Sequence, residues 1–130
     1  MDTGGDMKPK ILIIDDDEAY LNSLENVLKD EYEIVKARSL EEAKEKMDKS
    51  ISLTLIDIRL SQTDMTNRDG LIFLEWQRMN FPDIPAIVMS MYREFELAVD
   101  ALNLGAKYFL QKPINIPQLK GVLKEILGEK

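Results

Sequence analysis

The chain reads as an α/β protein with a doubly wound parallel sheet of five strands and five helices. Two observations predict this. Short, mostly apolar runs alternate five times with segments whose apolar residues recur at helical spacing. Four of those runs also end on polar residues that a parallel sheet would gather along one edge. Ile11–Ile14 precede Asp15 and Asp16, Leu53–Ile56 precede Asp57, Ala86–Met89 precede Ser90, and Tyr108–Leu110 lead to Lys112. In open α/β folds this carboxyl edge is where ligands bind, and right-handed crossovers limit the topologies that can build it.

Each element has its own signal. The first nine residues, MDTGGDMKP, are Gly-rich and polar and predict a disordered segment ahead of a domain over 10–130. ILII is apolar throughout, as a strand buried on both faces requires. Asp16–Lys29 places Ala19, Tyr20, Leu24, Val27 and Leu28 at helical spacing, and YEIVKA follows as a short strand. Ser39 and Glu42 form a capping-box pattern opening a helix that runs through Met47. LTLID is the third strand, followed by a polar loop from Ser61 to Asp69. Gly70 leads into a helix carrying Leu71, Leu74 and Trp76 that stops near Pro82. AIVMS is the fourth strand, and Glu94–Leu104 is a helix closed by Gly105. YFLQ is the fifth strand. Asn115 caps a last helix over Ile116–Leu127, with Pro117 accommodated in its first turn.

Composition narrows the chemistry. At 130 residues the chain fits one domain with a real core. Seventeen basic against twenty-four acidic residues give a net charge of −7, which argues against direct nucleic-acid binding. There is no cysteine and no histidine. A thiol nucleophile, a Ser–His–Asp triad, a His-ligated zinc and a histidine phosphodonor within the chain are therefore excluded. No apolar run reaches membrane-spanning length and no signal-peptide core follows Met1, so a cytoplasmic protein without membrane association is expected.

The polar residues at the sheet edge each have a plain structural reading as well. Asp15 or Asp16 could simply cap the following helix, and an acidic first turn also suits the helix dipole. Asp57, at the end of an apolar strand, could be a turn residue, although a charge there is costly unless compensated. Ser90 alone is an ordinary strand-end serine, and Lys112 could form only a salt bridge. Together they suggest different chemistry. Three carboxylates beside a hydroxyl and an ammonium call for a cation, and oxygen ligands of this kind suit Mg²⁺ with phosphate oxygens. A carboxylate can attack phosphorus to give an acyl phosphate, and a lysine can neutralise the transferred oxygens.

The set ILIIDDDE, LTLIDIRL, IVMSMY and GAKYFLQKP resembles the receiver domain of two-component response regulators, from about Lys10 to Leu127. The resemblance implies a flavodoxin-like sheet in the order 2-1-3-4-5. It also implies roles: Asp57 as phosphoacceptor, Asp16 as a direct Mg²⁺ ligand, and Asp15 holding the ion largely through water. The main-chain carbonyl of Arg59 would be a further ligand. Lys112 would contact the acceptor and then the phosphoryl group, with Pro113 following a cis peptide. Ser90 would hydrogen-bond a phosphoryl oxygen, and Phe109 would be the switch aromatic, with Tyr108 facing the other side of the strand. The phosphodonor would be a separate histidine kinase or histidine phosphotransfer protein. The chain would act as a phosphoacceptor signalling domain and not as an enzyme.

Phosphorylation of such a domain would alter the surface of the fourth helix, fifth strand and fifth helix, with homodimer formation as one consequence. Output would pass to a partner or to an effector domain outside this chain. The chain departs from the family pattern in three places: the long Ser61–Asp69 loop, Ser61 where proline is common, and Met91 where a small residue is usual. The long loop and Met91 keep alive a competing expectation, a receiver-like interaction module that works without phosphorylation, although the complete set of five site residues counts against it. A metal-dependent phosphatase is disfavoured because Arg59 stands where many such enzymes carry a second acid. The absence of a Gly-rich loop after the first strand disfavours nucleotide binding.

Overall fold

Alternating strands and helices run the length of the computed structural model, which describes residues 8–91 and 95–128. In chain order they are β1 (Lys10–Ile14), α1 (Glu18–Leu28), β2 (Glu33–Ala37), α2 (Leu40–Lys46), β3 (Leu53–Asp57), α3 (Asp69–Asn80), β4 (Ala86–Met91), α4 (Phe95–Asn103), β5 (Tyr108–Lys112) and α5 (Ile116–Leu127). The strands form one sheet in the order β2-β1-β3-β4-β5, and every neighbouring pair is parallel. This is the doubly wound, flavodoxin-like arrangement expected from the sequence.

Because side chains alternate across a strand, the apolar runs feed two separate cores. Ile11, Ile13, Leu53, Leu55, Ile87, Met89 and Leu110 pack against α1 and α5 through Leu21, Leu24, Leu28, Leu119, Val122 and Leu123. Leu12, Ile14, Ile56 and Val88 face α2, α3 and α4 through Ala43, Phe73, Leu74 and Ala101. The buried polar exception in mid-strand is Thr54. Its hydroxyl donates to Oε1 of Gln77 at 2.7 Å, and Gln77 donates in turn to the carbonyl of Ile84 at 2.9 Å. Neither buried group is left unsatisfied, so the pair ties α3 to the sheet without the penalty of an orphaned polar atom.

Helix ends show where local chemistry differs from the first expectation. α1 starts later than expected because Asp17 is its cap, accepting the N–H of Tyr20. Ser39 caps α2 as anticipated and accepts from Glu42, whereas the returning Glu42 carboxylate accepts from Arg38 N–H at 2.7 Å. Asn115 caps α5, whose end is closed by Gly128 in the left-handed conformation, φ 72°. Gly105, at φ 102°, ends the α4 segment. The expected helix start at Glu94 lies outside the described residues, as do the first seven residues of the expected disordered segment. Pro9 is engaged, its carbonyl accepting the N–H of Glu33 at 2.9 Å. Among the described residues, no helix is long and apolar enough to cross a membrane.

Candidate phosphoryl site

The carboxyl ends of β1, β3, β4 and β5 meet at one edge of the sheet. β1–β2 pairing continues one residue past the strand, with Asp15 N–H donating to the Ala37 carbonyl at 3.0 Å. This buries Asp15 completely. Its Oδ1 accepts the N–H of Asp17 at 2.9 Å and its Oδ2 accepts from Lys112 Nζ at 2.9 Å. Asp57 closes β3 and is also buried. Its Oδ2 accepts from the same Lys112 Nζ at 3.2 Å. Asp16 is half-buried between them in sequence, and carboxylate oxygens of Asp15, Asp16 and Asp57 all lie within 4.8 Å of one another.

Three adjacent aspartates thus have three different surroundings. Since Asp17 does the capping, Asp15 and Asp16 are not needed for it. The cluster is electrostatically tense. Burial pushes the Asp57 carboxyl up to about 7, the charge of Asp15 adds to this, and Lys112 only partly opposes it. Burial and then Asp15 also raise Asp16. For Lys112, burial disfavours the ammonium, but Asp57 and Asp15 outweigh it and hold its pKa above the ordinary lysine value. A hard, compact set of carboxylate oxygens that favours a proton on one of its members also suits a divalent cation, which removes the same repulsion. The residues fit Mg²⁺.

A cavity of about 290 Å³ opens over the cluster, lined by Asp15, Asp16, Asp17, Asp57, Arg59, Ser61, Gln62, Met91 and Lys112. Arg59 therefore lies at the site. Ser90 ends up fully buried near the end of β4, and the cavity wall at this point is the next residue, Met91, which is 46% exposed. Phe109 is half-buried and packs against the α2–α4 core, while Tyr108 is exposed. The Lys112–Pro113 peptide is cis.

The long loop braces itself. Asn67 Oδ1 accepts from Leu60 N–H and Asp69 N–H, both at 2.9 Å, and Asp64 accepts from the N–H and hydroxyl of Thr66. Among the described residues, neither Asp64 nor Asp69 belongs to the grouped carboxylates. Ser61 and Gln62 are the loop residues that reach the cavity wall.

Three participants were not legible as such in the sequence. Asp17 looked like one more acid in a run, and Tyr20 like one more apolar helix position. Gly70 looked like a plain helix opening. In fact its α-carbon passes so close to β3 that an added Cβ would press on the carbonyl oxygen of Asp57 and lie 2.6 Å from the Ile58 α-carbon. Gly70→Ala must therefore push α3 away from the end of β3, and should lower stability by roughly 1–3 kcal/mol in EDTA melts. An unchanged melting temperature would mean that this approach is not tight. A larger cleft of about 570 Å³ lies at the other end of β4, lined by Gln77, Arg78, Pro85 and Gly105 among others. Its buried Gln77 is already satisfied by Thr54 and Ile84.

The family model for the response regulator receiver domain matches residues 11–124. A putative NtrX-like response regulator of Rickettsia bellii (strain RML369-C) is 35% identical over 116 residues, covering 88% of this chain and 24% of that protein. The transcriptional regulatory protein ZraR of Escherichia coli (strain K12) is 31% identical, covering 91% of this chain and 26% of its own length. The chain thus spans about a quarter of these curated relatives. Among solved structures, a receiver domain protein from Methanospirillum hungatei JF-1 superposes with a TM-score of 0.82 at 32% identity, covering 94% of this chain and 95% of that one. The NtrX receiver domain from Brucella abortus does so with a TM-score of 0.80 at 28% identity, covering 92% and 99%. The chain belongs to the receiver-domain family of two-component response regulators.

Proposed function

We propose that this domain accepts a phosphoryl group on Asp57 from a histidine kinase or histidine phosphotransfer protein and later loses it to water. The observation that carries this reading is the convergence of Asp15, Asp16, Asp57 and Lys112 on one cavity at the carboxyl edge of the sheet. Mg²⁺, held by Asp15, Asp16, Asp57 and the Arg59 carbonyl, would offset the carboxylate charge that otherwise repels an incoming phosphate. An Asp57 carboxylate oxygen forms the new bond to phosphorus while the bond from phosphorus to the donor nitrogen breaks, giving an acyl phosphate. Lys112, already 3.2 Å from Asp57, neutralises charge on the transferred oxygens. Ser90 then moves to donate a hydrogen bond to them, and Phe109 repacks.

Repacking alters the α4–β5–α5 surface, which carries exposed Phe95, Val99, Leu102 and Tyr108. Phosphorylation favours one packing over the other, so the domain behaves as a two-state switch. Output passes to a partner or to an effector domain of a longer protein. Met91 sets the main condition, since the wall it forms must yield for Ser90 to reach the new oxygens.

Acetyl phosphate with Mg²⁺ should add one acid-stable, base-labile phosphoryl group, and EDTA should prevent it. In the same sample, amide NMR shifts should spread from Ser90 and Phe109 to α4. Uptake equal with and without EDTA would remove the metal from the reaction. Shifts confined to the acidic cluster would instead favour a module whose contacts do not depend on phosphorylation.

A further inference from the structure

Tyr20 touches the end of β5 at two points. Its ring lies 4.6 Å from Lys112 Nζ, measured to the centroid, and its hydroxyl accepts the N–H of Ile114 at 3.1 Å. The ring packs against the α1–α5 core, so both contacts start from a side chain held by that core. The lysine's other partners are the carboxylates of Asp15 and Asp57. A lysine ammonium sits on a flexible four-carbon stem, and carboxylate partners hold it only while they stay charged. The face of an aromatic ring attracts a cation whatever the charge state of its neighbours. We propose that Tyr20 is a positioning residue for phosphoryl transfer, its ring keeping the Lys112 ammonium at the reaction centre while Asp57 changes from carboxylate to acyl phosphate. Its hydroxyl steadies the backbone just beyond the lysine. This inference rests on the receiver chemistry proposed above, but it can fail separately from it.

The test compares the wild-type chain with Tyr20→Phe and Tyr20→Leu, using acetyl phosphate and Mg²⁺. Tyr20→Leu should take up phosphoryl about tenfold more slowly, the loss expected for a partly desolvated cation–ring contact. Tyr20→Phe keeps the ring and should lose less. A second readout needs neither metal nor phosphate. In EDTA, the ε-methylene protons of Lys112 should be shifted upfield by the ring in wild type and Tyr20→Phe, and should return to the ordinary lysine position in Tyr20→Leu. A core role alone would lower the melting temperature of Tyr20→Leu without moving the Lys112 signal in step with the rate. Should Tyr20→Leu fail to fold, Tyr20→Met, of similar reach, carries the same comparison. Equal uptake rates for wild type and a folded ringless variant overturn the proposal, and so does an unshifted Lys112 signal in the wild type. A wild type that takes up no phosphoryl group would instead sink the receiver chemistry and, with it, any reaction role for Tyr20. The Lys112 signal would then decide only whether the ring places the lysine.

Discussion

Asp57→Asn should gain no phosphoryl group under conditions in which the wild type gains one. The substitution keeps the side chain's shape and so leaves the end of β3 in place, but it replaces a nucleophilic carboxylate with an amide. The amide cannot form a stable acyl phosphate and contributes no negative charge to a cation site. Complete loss is expected here, because a single bond to phosphorus is at stake and not a contribution to a rate. Phosphate-affinity gels and intact mass, each before and after mild base, report it directly. Equal labelling of wild type and Asp57→Asn would place the acceptor on another residue, and the reading of the acidic edge would fall with it.

In EDTA, the wild type should be more stable at pH 5 than at pH 8, by about 2–3 kcal/mol. The sign follows from Asp57. Burial and the neighbouring Asp15 raise its pKa to about 7 in the folded protein, above the value of about 4 in an unfolded chain. The folded state therefore binds this proton more tightly. The stabilisation is complete below the unfolded value, declines as pH rises between the two values, and is lost above the folded one. Asp16, raised for the same reasons, acts in the same direction. Asp57→Asn should flatten most of this dependence and be the more stable protein at pH 8. Mg²⁺ should restore the wild type at pH 8, by about 2.7 kcal/mol at a hundredfold excess over Kd. Thermal melts across this range decide the matter. A wild type whose melting temperature rises from pH 5 to pH 8 without metal would show that the cluster is not strained.

Much of this was legible because it depends on periodicity. Mostly apolar runs of three or four residues, each followed by helical spacing, read as parallel strands with crossover helices, which brings the polar residues ending them to one edge. Asn115 and Ser39 announced their helices because capping is a local property of one side chain and the next turn. What the sequence hid depended on approach in three dimensions. Asp17 N–H donates to Asp15, and the cap of α1 falls on Asp17, one residue past Asp16 and two past Asp15. The crowding of Gly70 against β3 depends on the path of a loop whose length departs from the family pattern. Tyr20 meets Lys112 across 92 residues of sequence, and nothing in the spacing of α1 distinguishes it from Leu24.

The sheet divides the protein's interior, and the division runs through β5 itself. Phe109 and Leu110 are neighbours in the chain, yet one belongs with α2–α4 and the other with α1 and α5. Lys112 answers to the second compartment through Tyr20, whereas the proposed switch residue is seated in the first. Within its five residues, β5 thus carries one contact to each of the two cores that the whole sheet separates. Substitutions in one core should therefore change how the lysine is held, and substitutions in the other how the surface responds, because Lys112 meets the α1–α5 side through Tyr20 whereas Phe109 packs on the α2–α4 side.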